Sequence, residues 1–263
     1  MMYFAGIDIG SMTAETVIIN DKKEICASFI VKSGASHKEA LEKSFEQALN
    51  MAQITREDIK YIVSTGYGRI NVDFADKQVT EIACHGKGSH FLFPNTRTVI
   101  DIGGQDSKII KLNKKGKVID FLMNDKCAAG TGRFLEVMAN ALEINVEELG
   151  EYSMKSQKPA KISCMCGIFA ESEVVSKIAS GETKEDIVRG LHNSIASRIL
   201  GMVNRVKKEE EVTMTGGGAK NIGVVHAMQE QLKCQINVPE DPQIVGALGA
   251  ALFSLEEYYA NNE

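Results

Sequence analysis

The chain has 263 residues, 44% hydrophobic and 25% charged, which is the composition of an ordinary globular protein rather than a disordered or fibrous one. With 30 basic and 35 acidic residues, its formal net charge of −5 argues against non-specific nucleic-acid binding. No segment is apolar for long enough to span a bilayer, and no basic leader precedes the first strand pattern. We therefore expect a cytoplasmic protein that binds neither nucleic acid nor membrane, with its six cysteines reduced, catalytic or bound to metal.

The first half of the chain alternates between strand and helix patterns. Runs of β-type residues predict strands at about residues 3–9, 15–20, 24–32 and 61–63. Apolar residues at helical spacing predict helices at residues 37–52 and about 77–88. Pro94 and Asn95 then interrupt the pattern, so we place a domain boundary near residue 97.

The second half repeats the opening pattern. Strands are predicted at about residues 98–102, 107–112, 117–122 and 212–214. Helices are predicted at about residues 131–143, 168–180, 184–207, 222–232 and 244–258. The fold class is therefore α/β, with a mixed sheet and helices in each half. The predicted domains are residues 1–97 plus about 244–263, and residues 98–243.

The tetrapeptide Ile-Asp-Ile-Gly occurs twice, at residues 7–10 and 100–103. Each copy lies between two strand patterns, which predicts a β-hairpin with a glycine turn. A buried strand that ends in Asp and Gly presents a carboxylate beside unhindered backbone N–H groups, the groups needed to hold a metal–phosphate complex. Two such hairpins predict two like domains that face one nucleotide.

A third glycine signal follows the strand at Val212–Met214, where Gly216-Gly217-Gly218 leads into a helix. Backbone there can approach a flat ligand closely, and a helix N-terminus favours anions. The order of two hairpins and a strand–glycine–helix unit resembles the acetate and sugar kinase, heat-shock 70 and actin superfamily of ATPases. That resemblance implies two duplicated ribonuclease-H-like, actin-like ATPase domains facing a nucleotide cleft, with phosphates at the hairpins and adenosine at the glycine loop. No Walker A motif is present in the sequence.

These patterns assign roles to individual residues. Asp8 and Asp101 are predicted to organise Mg²⁺ and its waters, and Gln105 to position the attacking water. The residues predicted to bind ATP are Gly10, Ser11, Met12, Thr13, Gly103, Gly104, Gln105, Gly216, Gly217, Gly218, Asn221 and Gln243.

Two cysteine segments separate the second hairpin from the glycine loop. Cys127 lies beside Lys126 shortly before a predicted helix, and Cys164 and Cys166 precede another. Spacing alone leaves buried small hydrophobic residues and a metal site about equally favoured. Because an iron–sulfur cluster usually requires four thiolates, a twofold dimer with two ligands per subunit would supply them.

Seven segments together resemble a single family, the ATP-dependent activators (archerases) of 2-hydroxyacyl-CoA dehydratases, related to benzoyl-CoA reductase ATPase subunits. They are STGYGR (64–69), DKQVTEIACHG (76–86), VIDIGGQDSK (99–108), MNDKCAAGTGRFLEVMA (123–139), CGIFAESEVVS (166–176), TGGGAKN (215–221) and GALGAAL (246–252). The resemblance implies a homodimer with one 4Fe–4S cluster, ligated by Cys127 and Cys166 of each subunit. MgATP hydrolysis would drive one low-potential electron from a ferredoxin or flavodoxin into a 2-hydroxyacyl-CoA dehydratase, an aryl-CoA reductase or a double-cubane-cluster reductase.

Two residues depart from the family pattern. Glu15 stands where the first hairpin usually carries a lysine, and Cys164 where serine is more frequent. Cys164 is interpreted as a packed thiol, with an alternative ligand and a redox-sensitive neighbour as the other readings. The histidines show no metal spacing and are expected to be packing or surface residues, and Cys26 and Cys234 are predicted in strands.

Two other functions fit the same fold. A small-molecule kinase of the superfamily would need a substrate pocket and a base, whereas the middle of this chain is occupied by cysteine loops. A nucleotide-switched scaffold like actin would need neither cluster nor substrate pocket. Anaerobic purification separates the three, because a brown dimer with about four irons is expected only of the activator.

Overall fold

A computed structural model of the protein describes residues 1–34, 36–163 and 167–262, without the side chains of residues 167 and 168. Two compact units are present. Unit 1 contains Met1–Thr96, Leu112–Ile119 and Pro239–Glu263, and unit 2 contains Arg97–Lys111 and Asp120–Val238. The predicted ligand Cys166 and its neighbour Cys164 lie outside the described residues.

The strands and helices follow one another along both units. The strands are β1 (Tyr3–Ile9), β2 (Thr13–Asn20), β3 (Ile25–Lys32), β4 (Ile59–Thr65), β5 (Lys77–Gln78), β6 (Thr98–Ile102), β7 (Ser107–Leu112), β8 (Val118–Asn124), β9 (Val212–Thr215) and β10 (Ile236–Asn237). The helices are α1 (His37–Ala52), α2 (Glu81–Leu92), α3 (Gly132–Ala141), α4 (Leu149–Lys155), α5 (Gly167–Ala179), α6 (Lys184–Val206), α7 (Ile222–Leu232) and α8 (Val245–Asn262). In the described part of the chain, no helix is long and apolar enough to cross a membrane.

The sheet of unit 1 has the strand order β3-β2-β1-β4-β5. Strand β1 is antiparallel to β2 and parallel to β4. Successive side chains of a strand point to opposite faces, and β1 follows this rule. Ile7 packs with Phe45 of α1, whereas Phe4 packs with Leu248 of α8. Both faces of this sheet are therefore covered by helices.

The sheet of unit 2 has the order β10-β9-β6-β7-β8, which is the arrangement of unit 1 read from the other edge. Strand β6 is antiparallel to β7 and parallel to β9, as β1 is to β2 and β4. One apolar cluster joins Ile100 and Ile102 of β6 to Met138 of α3 and Ile199 of α6. The duplication predicted from the sequence is therefore present in the strand order itself.

Several elements differ from their predictions. Helix α2 begins at Glu81 rather than near residue 77, because Lys77–Gln78 pair with β4 as strand β5 and Thr80 caps the helix by accepting the Ala83 N–H. Helix α4 was not predicted. Cys234 lies between α7 and β10 rather than in a strand, since α7 ends at Leu232 and the next residue, Lys233, has a φ of 55°.

Candidate functional site

The first hairpin places two carboxylates side by side. Its turn is closed by the Gly10 N–H, which donates to the Thr13 carbonyl at 2.9 Å. Asp8 on β1 lies directly opposite Glu15 on β2, and the two residues are only 8% and 4% exposed. Directly opposite residues of an antiparallel pair share one face of the sheet. The hairpin therefore concentrates negative charge where Mg²⁺ was predicted.

Glycines and a histidine surround the Asp8 carboxylate. A Cβ atom on Gly66 would lie 2.2 Å from Asp8 Oδ1, and one on Gly246 would lie 2.1 Å from Oδ2. Gly66 also has a φ of 86°, a conformation that favours glycine. The His85 Nε2 atom is 4.0 Å from Asp8 Oδ2. The sequence predicts His85 to be a packing or surface residue, because no sequence pattern connects His85 to Asp8, which is 77 positions away.

Gln243, which precedes α8, also reaches the first hairpin. Its Nε2 atom donates to Thr13 Oγ1 at 3.3 Å and to Glu15 Oε1 at 3.1 Å. The Gln243 N–H donates to Asp241 Oδ1 at 3.2 Å, which holds the preceding turn. The structure thus brings together Thr13 and Gln243, two residues predicted to bind nucleotide, and connects them through Glu15.

The second hairpin balances its charges internally. Asp101 is 1% exposed and lies opposite Lys108, which is 2% exposed. The Lys108 ammonium donates to Asp101 Oδ2 at 3.1 Å and to Asp106 Oδ1 at 2.7 Å. The Thr215 hydroxyl donates to Asp101 Oδ1 at 2.9 Å. Asp101 is therefore fixed by an ion pair, and a buried lysine in this role was not predicted.

The glycine loop packs directly against the end of β6. Cβ atoms on Gly216 and Gly218 would lie 2.4 Å from the Ile102 carbonyl oxygen and from Ile102 Cγ2, respectively. Gly216 has a φ of 81°, whereas a Cβ on Gly217 would meet nothing within 4 Å. Two of the three glycines are therefore required by packing, and Gly217 leaves its side of the loop open for a ligand.

Asn221 joins the glycine loop to helix α7. Its side-chain oxygen accepts the N–H groups of Gly223 at 3.0 Å and Val224 at 3.1 Å, as an N-cap does. Its Nδ2 atom is 3.3 Å from Nε2 of the fully buried His192. Burial, followed by the positive charge of Arg189, lowers the pKa of His192 to about 3. The cap is thus supported by a neutral imidazole.

Backbone hydrogen bonds connect the second hairpin to the helix that follows Cys127. The Gly132 N–H donates to the Gly103 carbonyl at 2.9 Å, and the Arg133 N–H donates to the Gly104 carbonyl at 2.8 Å. These donors belong to the first turn of α3. The N-terminus of α3 is therefore attached to the turn in which phosphate binding is predicted.

The Cys127 loop is itself ordered by short hydrogen bonds. The Asn124 amide donates to the Cys127 carbonyl at 3.0 Å, and the Thr131 hydroxyl donates to the Ala128 carbonyl at 2.6 Å. Cys127 is partly buried and packs on the apolar cluster of unit 2. Asn124 and Thr131 thus hold the main-chain carbonyls of Cys127 and of the residue after it.

Other described cysteines lie in different settings. Complete burial raises the pKa of Cys84 to about 12, and burial together with the charge of Glu24 raises the pKa of Cys26. Both side chains are therefore thiols at neutral pH. Over residues 1–34, 36–163 and 167–262, no group of three or more His, Cys, Asp or Glu side chains is arranged to hold a metal ion.

The remaining predicted residues lie in the two turns. Ser11 and Met12 are half-buried at the tip of the first hairpin, and the Met12 carbonyl accepts the Ser33 N–H at 2.8 Å. Gln105 is exposed in the turn of the second hairpin, beside the bond from the Gly103 N–H to the Asp106 carbonyl. Each turn therefore presents its predicted side chains at the end of a buried strand.

Comparison with known proteins gives consistent matches over nearly the whole chain. Residues 5–254 match the BadF/BadG/BcrA/BcrD ATPase family. The activator of lactoyl-CoA dehydratase of Anaerotignum propionicum is 49% identical over 258 residues, 97% of this chain and 98% of the relative. The solved activator of 2-hydroxyisocaproyl-CoA dehydratase from Clostridium difficile, with bound ADPNP, has a TM-score of 0.96 and 47% identity, covering 99% of this chain and 97% of that one. Component A of (R)-2-hydroxyglutaryl-CoA dehydratase from Acidaminococcus fermentans has the same TM-score of 0.96 at 45% identity, covering 98% and 100%.

The predicted fold class is confirmed. Two sheets of the same strand order occur in the chain, one in each half. A ROK hexokinase from Thermus thermophilus, only 14% identical, shares the fold with a TM-score of 0.54 and coverage of 98% and 100% of the two chains. The α/β, actin-like ATPase class predicted from the two hairpins and the glycine loop is therefore correct.

Proposed function

Because the chain belongs to the BadF/BadG/BcrA/BcrD ATPase family, we propose that it is an ATP-hydrolysing activator of a 2-hydroxyacyl-CoA dehydratase or a related aryl-CoA or double-cubane-cluster reductase. It transfers a low-potential electron from a ferredoxin or flavodoxin through a 4Fe–4S cluster shared by a homodimer. The names of its relatives support the class of acceptor. In this proposal residues 1–97 with 244–263 form one ATPase domain and residues 98–243 form the other.

The observation that carries this proposal is the attachment of α3 to the second hairpin. Gly132 and Arg133 donate their N–H groups to Gly103 and Gly104, and Cys127 lies five residues before Gly132 in the same loop. A change at the phosphate-binding turn therefore moves the first turn of α3, and with it the main chain at the thiol. A sugar kinase would need no cysteine at this place.

The nucleotide-binding residues divide between the hairpins. Asp8 and Glu15 supply oxygen atoms suited to Mg²⁺, which proteins commonly hold with one or two carboxylates together with phosphate oxygens and water. Bound Mg²⁺ neutralises phosphate charge. Asp101 is already paired with Lys108, so its role becomes that of orienting the second turn. Backbone N–H groups of Ser11, Met12 and Gly104 are the proposed phosphate donors. The Gly10 N–H closes the first turn, and the absence of a side chain at Gly10 lets a phosphate approach the backbone.

Gln105 is the proposed water-positioning residue. Its side chain is exposed in the second turn, and a neutral amide can orient a water molecule but is a weak base. This assignment is consistent with slow hydrolysis, and we propose that docking of the acceptor accelerates it. The glycine loop with Asn221, and Gln243 beside Thr13, complete the proposed set around ATP.

The donor chemistry at Cys127 fits an iron–sulfur cluster. Its thiol is in no disulfide and is partly buried, and it precedes a helix N-terminus whose partial positive charge stabilises an anionic group. A bound cluster supplies one-electron transfer at low potential. Cys166 is proposed as the second ligand of each subunit. The hydrogen bonds of Asn124 and Thr131 hold the loop at the carbonyls of Cys127 and Ala128.

Anaerobic purification tests the proposal. We expect a brown dimer with about four irons per dimer, ATP hydrolysis, and ATP-dependent activation of a purified 2-hydroxyacyl-CoA dehydratase in the presence of a low-potential reductant. Cys127→Ser should lose the iron and the activation, with weaker dimerisation. Cys26→Ser is the matched control, since Cys26 is also partly buried but lies in unit 1.

Two results would overturn parts of this assignment. A colourless protein that phosphorylates a sugar or carboxylate would establish the kinase alternative. If Cys164→Ser lost the iron and Cys166→Ser kept it, the second ligand would be Cys164.

The nucleotide should also change the accessibility of the iron. We expect chelators to remove iron from the reduced protein faster with an ATP analogue than with ADP. The two nucleotides must then differ in their affinity for the two conformations, because a ligand shifts a conformational equilibrium only by that difference.

A further inference from the structure

His192 lies inside unit 2, beside Asn221 at the end of the glycine loop. It belongs to α6 and is 0% exposed. Its Nε2 atom is 3.3 Å from Asn221 Nδ2. Within the part of the chain that the structure describes, its Nδ1 atom is buried without a hydrogen bond. The contact with Asn221 is therefore the polar contact that the buried His192 side chain makes in the described structure.

The hydrogen bonds of the α7 N-cap determine which ring nitrogen of the neutral His192 carries the proton. Two N–H donors, from Gly223 and Val224, point at one atom of the Asn221 amide, so that atom is the oxygen. The other atom, Nδ2, is then a donor, and His192 Nε2 has to accept. The proton of the neutral imidazole consequently resides on Nδ1.

The packing around His192 keeps this arrangement in place. A Cβ on Gly223 would lie 2.4 Å from His192 Nδ1 and 2.8 Å from Ser153 Cβ. Glycine at this position therefore lets the first turn of α7 approach α6 and α4 closely. Burial and the nearby charge of Arg189 lower the pKa of His192, so the imidazole remains a neutral acceptor at physiological pH.

We propose that His192 is a positioning residue of the nucleotide site, which fixes the Asn221 amide and thereby holds the glycine loop in the conformation that binds the nucleoside part of ATP. This inference rests on the proposed function, in which the loop from Gly216 to Asn221 receives adenosine. ATP and ADP share that part. Loss of the His192 acceptor should therefore weaken both nucleotides equally and leave hydrolysis at saturating ATP unchanged.

A matched pair of substitutions isolates the acceptor. Gln and Met are similar in length, but only Gln presents an amide oxygen near the place of His192 Nε2. We expect His192→Met to raise the Kd of ATP and of ADP about tenfold, as loss of one hydrogen bond with its buried partner does. His192→Gln should stay within about threefold of wild type. Titration calorimetry on the purified dimer gives both constants, and steady-state assays give KM and kcat.

Thermal unfolding separates positioning from simple stability. A purely structural role would lower the Tm of both variants equally and leave both nucleotide affinities at the wild-type value, which would refute the proposal. Gly201→Ala is the control on the same helix, because a Cβ there meets nothing within 4 Å. It should change neither Kd nor kcat.

Nitrogen NMR on the wild-type protein tests the same inference without any folding risk. With ¹⁵N-labelled histidine, the His192 signal, assigned by its loss in His192→Gln, should show a protonated Nδ1 and an unprotonated Nε2 from about pH 8 to about pH 5. A protonated Nε2 would overturn the proposal. If the wild-type protein bound no nucleotide, the proposed function would fail instead, so the two failures are distinguishable.

Discussion

The two units contain the same carboxylate and glycine arrangement in different charge settings. In unit 1, Asp8 is the penultimate residue of β1 and Gly66 follows β4 with a φ of 86°. In unit 2, Asp101 is the penultimate residue of β6 and Gly216 follows β9 with a φ of 81°. A Cβ on either glycine would lie close to the carboxylate, at 2.2 Å from Asp8 Oδ1 or 2.7 Å from Asp101 Oδ1. The backbone design is therefore the same in both.

The units differ in the residue opposite the carboxylate. Glu15 faces Asp8, whereas Lys108 faces Asp101. Unit 2 compensates its buried charge within the protein by an ion pair of 3.1 Å. Unit 1 adds a second negative charge, and buried like charges favour a bound cation or a proton. In the proposed function, this difference divides two tasks between the duplicated sheets, with the cation held beside Asp8 in unit 1 and a turn fixed by an ion pair in unit 2.

The largest expected effect concerns stability in unit 2. Lys108→Met leaves Asp101 without its buried partner, and breaking such a pair reduces the free energy of unfolding by about 3–5 kcal/mol. Glu15→Gln removes a like charge from unit 1 and should change it by less than about 1 kcal/mol. Urea unfolding without nucleotide measures both. Equal losses in the two variants would abolish the contrast, and adding Asp101→Asn to Lys108→Met should restore part of the loss.

Stability should depend more on the carboxylate site of unit 2, whereas binding of MgATP should depend more on the carboxylate site of unit 1. Asp8→Asn is expected to weaken MgATP binding at least about tenfold and to slow hydrolysis at least about 100-fold, because a charge is lost from the Mg²⁺ environment. Gln105→Ala should keep affinity within about threefold and slow hydrolysis about tenfold or more. Calorimetry and steady-state assays check this division. Asp73→Asn, at an exposed carboxylate of unit 1, is the control, and equal binding losses in the first two variants would contradict the division.

A third test asks whether the shared glycine geometry matters equally in both units. Gly66→Ala and Gly216→Ala each place a Cβ at positive φ against a carbonyl or carboxylate oxygen, so each should destabilise the protein by at least about 2 kcal/mol. Gly217→Ala should change stability by no more than about 0.5 kcal/mol, since nothing lies within 4 Å. Thermal unfolding would refute the equivalence if only one of the first two variants were affected.

Mild acid should act on unit 2 through His192. Its pKa is about 3 in the folded protein against 6.5 for the free group, so the unfolded chain binds a proton that the native chain does not. Stability is retained above pH 6.5 and lost as the pH falls toward 3, by about 1.4 kcal/mol per pH unit. His192→Gln removes this contribution. The stability difference between wild type and His192→Gln should therefore become less favourable to wild type by about 2 kcal/mol between pH 7 and pH 5; a constant difference would contradict the assignment.

Much of the fold could be predicted from the local spacing of apolar residues. The helices α1 and α7, for example, have the bounds that this spacing predicted. Periodicity succeeds there since both helices have an apolar face and each is followed at once by a residue with positive φ, Gln53 or Lys233. It fails at α2, where Lys77–Gln78 form a strand edge, and at α4, which has only seven residues. Short elements are decided by tertiary partners that a local window does not contain.

The candidate site was predictable where chemistry follows directly after a strand. Asp8, Asp101 and the glycine loop were predicted in this way, and the structure places each of them at the end of a strand. The parallel between Thr65-Gly66-Tyr67-Gly68 and Thr215-Gly216-Gly217-Gly218 is also visible in the sequence, and it would have joined Gly66 to the Asp8 site. His85 and His192 could not be found, because each meets its partner across folded elements rather than along the chain.

The two bonds from α3 to the second hairpin use only main-chain atoms. Substitution of side chains at Gln105 or Arg133 therefore leaves this connection intact, and sequence drift at either position does not uncouple the turn from the Cys127 loop. Coupling between two binding equilibria is reciprocal. In the proposed function, an acceptor whose affinity depends on the bound nucleotide through this connection would change nucleotide affinity by the same factor. Acceptor docking would then favour one nucleotide state over the other.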